Sequence, residues 1–102
     1  MKRTNNMVYV NSVESRELLL FVDNSPRYQY HIASIIKNLH RKYVKGIFDK
    51  DKAIDIFYPL CCQASKDYNR LFGYYFTVTE RFSAATDLVD YFEEEIINGL
   101  ME

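Results

Sequence analysis

Three groups of side chains in this 102-residue chain could carry chemistry. They are the histidines His31 and His40, the adjacent cysteines Cys61 and Cys62, and the carboxylates from Asp87 to Glu95. The histidines stand nine residues apart, which is not a metal-ligand spacing, and no C-x-x-C pattern accompanies the cysteines. Adjacent cysteines joined as a disulfide would strain the peptide between them. On a helix they point about 100° apart, so Cys61 is expected to be buried and Cys62 partly exposed. Asp87/Asp90 and Asp90/Glu94 have the spacing to share a proton or a cation, but they fall on a polar helical face where solvated carboxylates are the usual state. His40 flanks an apolar stripe and reads as a half-buried packing residue. Neither a glycine-rich phosphate loop nor G-x-S-x-G is present. An active site needs reacting groups held in a concavity by supporting contacts, and no such constellation is announced. The expectation is a non-enzyme with no metal and no cofactor.

The elements that must position these residues follow from periodicity. Residues 1–6 are polar and expected to be disordered; residues 7–102 are expected to form one globular domain. Met7–Val10 is short and β-prone, and Glu17–Val22 is an apolar run of strand length ending at the turn signal Asp23-Asn24. Together they read as a β-hairpin, with a helical turn over 13–20 as the competing reading. Ser25-Pro26 then opens a helix. Along it Tyr28, Ile32, Ile35, Ile36, Leu39 and Tyr43 recur at helical spacing, until Gly46 stops it. Asp49 caps a second helix with Ala53, Phe57, Leu60, Cys61, Ala64, Tyr68 and Leu71 on its apolar side. Pro59 falls inside it near the polar side, and Phe72-Gly73 ends it. Tyr74–Val78 is an extended connector or a third strand. Thr79 is a plausible cap for a third helix carrying Phe82, Ala85, Leu88, Val89, Phe92 and Ile96 and ending at Asn98-Gly99. The expected fold class is α+β: three main amphipathic helices with a small N-terminal β-hairpin.

Composition sets the class of molecule. Hydrophobic residues are 48% of the chain and charged residues 26%, as in folded globular proteins. No stretch approaches the roughly 20 apolar residues that span a bilayer. No apolar run follows the charged N-terminus as in a secretory signal. The cytoplasm is therefore the expected compartment, with no membrane partner. The net charge of −1 hides a strong asymmetry: nine Lys/Arg against four Asp/Glu in residues 1–50, and four against ten in residues 51–102. Polarised charge of this kind suits self-association, a complementary protein or nucleic acid.

Three surfaces are candidates. The basic face of the first long helix carries Arg27, Lys37, Arg41, Lys42 and Lys45, which could follow a phosphate backbone. The acidic face of the last helix carries Asp87, Asp90, Glu93 and Glu94, which could imitate phosphates toward a basic channel on another protein. Glu93–Glu95 would oppose the dipole at the C-terminal end of that helix, which hints at a use. Tyr74 and Tyr75 supply an aromatic contact.

The central block Ile35-Ile36-Lys37-Asn38-Leu39, Arg41-Lys42, Lys45-Gly46, Phe48-Asp49 and Lys52-Ala53 resembles small uncharacterised accessory proteins carried by bacterial phages and plasmids. So do Asp23-Asn24, Ala64, Lys66, Tyr68, Phe72-Gly73, Phe76, Val78 and Tyr91-Phe92, over roughly residues 17–97. Pro59 and Cys61-Cys62 depart from the pattern. The resemblance implies no reaction; it implies an accessory gene of a mobile element. In that setting the expected function is inhibition of a host defence factor, such as a CRISPR effector complex, by binding a host protein or ribonucleoprotein. The acidic residues and Tyr74/Tyr75 would make the contact. The alternatives are a nucleic-acid-binding or regulatory module using the basic face, and a self-associating structural protein or homodimer.

Overall fold

The computed structural model describes residues 13–100, and every regular element in them is a helix. The order is α1 (Val13–Asn24), α2 (Pro26–Val44), α3 (Lys50–Phe72), α4 (Val78–Tyr91) and α5 (Glu93–Asn98). Helix accounts for 84% of the described residues and strand for none, so the α+β assignment is corrected to all-α. Residues 7–10 lie outside the described residues. Residues 17–22, expected as a strand, are the middle of α1.

The reason is the spacing of what α1 buries. Ser15, Leu18, Leu19 and Val22 are buried while Leu20 is exposed. Intervals of three, one and three place those four on one helical stripe, whereas a strand would bury every second residue. The run Leu18-Leu19-Leu20 alone is ambiguous; Ser15 decides it, and a small polar residue gives little hydrophobic signal.

Ser25 alone separates α1 from α2, with Pro26 in the first turn of α2. Gly46 follows α2 at φ 76°, a backbone state that side chains with a Cβ avoid. Asp49 caps α3 by accepting from the Asp51 and Lys52 amides. Pro59 sits on the exposed side of α3, which runs unbroken from Lys50 to Phe72. α4 is capped by Thr77, not Thr79. The Thr77 hydroxyl accepts from the Glu80 amide at 3.0 Å, and the Glu80 carboxylate accepts from the Thr77 amide at 2.9 Å. This reciprocal box satisfies two helix-end donors at once. The T-x-x-E spacing that signals it stands in the sequence.

The expected third helix is two helices. The chain breaks at Phe92, whose backbone leaves helical geometry (φ −101°, ψ 18°), and α5 begins at Glu93. Glu93, Glu94 and Glu95 thus occupy the first turn of α5, where the helix dipole favours carboxylates. The electrostatic cost expected of them does not arise.

α3 packs most extensively on α4, and α1 lies against both; α2 rests mainly on α5 and α3. Ala53, Ala64, Ala84 and Ala85 are fully buried on α3 and α4, and such small side chains allow close helix approach. Phe57 fills the centre and stacks on Phe92 at 6.3 Å. His40 is half-buried as expected, its Nδ1 2.9 Å from the Ile96 carbonyl of α5.

Candidate functional site

The α3–α4 corner is built from the end of a stopped helix, a five-residue connector and a capped start. Gly73 adopts φ 77° and its amide closes on the Asn69 carbonyl, ending α3. Phe76 is then buried against the ring of Tyr68 at 4.9 Å, which anchors the connector to α3. The Arg81 guanidinium donates to the Phe76 carbonyl at 2.6 Å. The Tyr74 hydroxyl donates to both carboxylate oxygens of Glu80 at 3.1 Å, the same carboxylate that closes the α4 cap. Partial burial and this contact with Glu80 raise the Tyr74 pKa. Residues 73–77 are an extended connector and not a strand.

What this corner presents outward is apolar. Leu71, Phe72, Tyr75 and Val78 are 67%, 64%, 79% and 61% exposed, and the Tyr74 ring is partly exposed beside them. Leu71 was expected in the core stripe of α3. It lies past the reach of α4, whose first residue is Val78, and faces out. Beside Phe72 an open groove of about 490 Å³ runs between α1 and α3, lined by Leu20, Phe21 and Tyr68, with Glu17 at its rim. Phe21, Tyr68 and Phe72 pack edge-on or tilted at 4.7–6.5 Å and stiffen its wall.

The acidic residues are not one row on one rod. Asp87 and Asp90 are on α4, and Glu93 and Glu94 are on α5 beyond the break. Asp90 is ion-paired with Lys50 at 2.8 Å. Asp87 is half-buried near the Cys61 thiol and engaged with neighbouring groups. Glu93 and Glu94 are exposed.

The basic residues divide as well. Lys37, Arg41, Lys42 and Lys45 are exposed, and no ion pair to them occurs among the described residues. Arg27 instead donates to the Asp67 carboxylate at 2.7 Å. Asp67 is only 5% exposed and also accepts from the Tyr28 hydroxyl and the Arg70 guanidinium. Burial acts to raise its pKa. The hydrogen bonds from Tyr28 and Arg70, with the charges of Arg27 and Arg70, outweigh burial and hold it below 3.8. This buried junction between α2 and α3 was not foreseen. Its sequence signal is weak: Asp67 falls between the apolar positions Ala64 and Tyr68, and partners 39 and 40 residues away leave no local pattern.

Cys61 is buried and Cys62 intermediate, as their helical phase requires. Burial first, then the neighbouring Cys62 and Asp87, push the Cys61 thiol up to about 12. A thiol so far from ionising is a poor nucleophile. No group of three or more His, Cys, Asp or Glu among the described residues is placed to hold a metal ion. No helix among them is long and apolar enough to cross a membrane. Compared with family models, curated proteins and solved structures, the chain matches none.

Proposed function

We propose that this chain is a non-enzymatic binding module of a mobile genetic element, which inhibits a host defence protein by covering its working surface with the α3–α4 corner. The observation that carries the reading is the outward set of Leu71 and Phe72 at the end of α3, Tyr75 on the connector and Val78 at the start of α4, around a connector held by Gly73, Phe76, the Glu80 carboxylate and Arg81. Large exposed apolar side chains clustered this closely along the chain are a feature of interaction surfaces. A rigid aromatic surface loses little entropy on docking. The adjoining groove, with Glu17 at its rim, suits a partner that offers an apolar side chain beside a Lys or Arg. Asp87 and Asp90 are drawn into internal contacts, so the aromatic pair Tyr74/Tyr75 takes the leading role in contact and Glu93 and Glu94 a peripheral one.

The test is infection of bacteria that each carry one active defence system, CRISPR effectors included, with and without the protein. Wild type restores plaquing in at least one strain. The variant Phe72→Ser/Tyr75→Ser, with an unchanged melting temperature, loses that effect by tenfold or more; removing two central aromatic anchors costs at least ~1.4 kcal/mol, a factor of ten. No rescue in any strain, or equal rescue by the variant, overturns the proposal. So does a concentration-dependent mass in light scattering that disappears in the variant, which would make the corner a self-interface.

A further inference from the structure

We propose that the outward face of α2 binds the phosphate backbone of double-stranded DNA without reading its sequence. Residues three and four apart share a helical face, and Lys37, Arg41 and Lys45 fall within an arc of about 80°. That arc is diametrically opposite Tyr28, Ile32, Ile36 and Leu39, the residues α2 buries. Lys42 stands on its flank, and all four cations are exposed. No described carboxylate lies within ion-pair reach of any of them. Asp90 is held by Lys50 and Asp67 by Arg27 and Arg70, and Glu93 and Glu94 on α5, the helix packed on α2, make no ion pair with these cations among the described residues.

The geometry favours a duplex over other polyanions. From Lys37 to Lys45 the helix rises about 12 Å, a length over which duplex DNA presents about seven phosphate charges. A single strand is gripped by aromatic rings interleaved with cations. On this arc the one exposed ring is Tyr30, about 10 Å from Lys37 along the axis. A helix lying in a membrane surface buries its apolar side in lipid, but the apolar side of α2 is in the protein core. Arg27, whose guanidinium is tied to Asp67, is not part of the surface.

Fluorescence anisotropy with a labelled mixed-sequence duplex tests this, titrated between about 50 and 200 mM salt. Expected is a Kd of about 1–100 µM toward the high-salt end, tightening by more than about tenfold at the low end, with log K falling against log salt at a slope of about −3, three to four phosphate contacts. Two duplexes of unrelated sequence should bind within about threefold of each other, as backbone contacts carry no sequence information. Lys37→Gln and Arg41→Gln each reduce the slope by about 1, while Lys66→Gln on α3 leaves it unchanged. Phe72→Ser/Tyr75→Ser retains DNA binding, which separates this surface from the α3–α4 corner. Absence of binding at low salt overturns the proposal, as does a slope indifferent to Lys37→Gln and Arg41→Gln. Tighter binding to a single strand, to double-stranded RNA or to vesicles of anionic lipid does so as well.

Discussion

Asp67 shows how one buried carboxylate can fasten two helices and leave a pH signature. Its pKa is depressed below 3.8, so the native state holds the proton more weakly than the unfolded chain does. The stability it confers is complete well above that value and is lost as pH falls through the depressed native one. Asp67→Asn should therefore flatten the acid limb of the melting-temperature profile. At neutral pH it should cost about 1.5–3 kcal/mol, the range for hydrogen bonds to a charged group. The residual Arg27 and Arg70 are more than half exposed, so they are not stranded as buried charges. Tyr28 carries the opposite sign. Burial first, then Asp67, raise it to about 12, so the unfolded chain ionises before the native one. Stability present below pH 10 is lost as pH climbs toward 12, and Tyr28→Phe should remove that alkaline slope. The cysteines give a third check. Alkylation of the native protein should modify Cys62 first, and Cys61 only on unfolding, read by mass spectrometry of peptides; rapid labelling of Cys61 would contradict its burial. The cysteine placement was legible from helical phase. The Asp67 junction was not, because only Arg70 is a local partner, three residues on, while Arg27 and Tyr28 are brought to Asp67 by the fold.

At the scale of elements, caps and stops were the most legible features. Asp49, Gly46 and Gly73 announce their roles because each meets a local requirement: a side-chain acceptor for unpaired amides, or a backbone at positive φ. The cap of α4 is Thr77 where Thr79 was expected, and Thr77→Ala should lower stability by about 1 kcal/mol in denaturant unfolding. The loss should be larger than for Thr79→Ala, whose hydroxyl takes no part in the cap. Glu80→Ala should act on the corner as well as the helix, since the same carboxylate holds the Tyr74 hydroxyl. The division between α4 and α5 had no cap residue to mark it. Apolar spacing continues from Leu88 through Phe92 to Ile96, and the Phe92 carbonyl still accepts from the Ile96 amide at 3.0 Å. The bend at Phe92 comes with α5 packing on α2 and with His40 contacting the Ile96 carbonyl. Such contacts are tertiary and leave no trace in spacing.

The whole described molecule is a slab of about 41 × 33 × 18 Å, thin enough that each helix has one face inside and one out. Far-ultraviolet circular dichroism should show a helical spectrum; a strand contribution from residues 13–100 would contradict α1. The α3–α4 corner lies near the start of α2, whereas Lys37–Lys45 lie at its end, about 18–30 Å along the axis from Ser25. Substitutions at sites so far apart should combine additively in both stability and binding assays. The sequence by itself determined α2 and α3, their stops and most of their inward residues, because hydrophobic periodicity and capping are local; it marked the inward stripe of α4 and α5 but neither the start at Thr77 nor the break at Phe92. It also determined that one face of α2 would be basic, since that needs only the pitch of a helix. The packing of several helices together decided the rest. It turned residues 17–22 into helix by giving Ser15, Leu18, Leu19 and Val22 a common wall. It paired Asp90 with Lys50 and Arg27 with Asp67, and it left Leu71, Phe72 and Val78 uncovered. Which charges are cancelled and which apolar side chains stay exposed are properties of surfaces meeting, and a surface exists only once distant segments have packed.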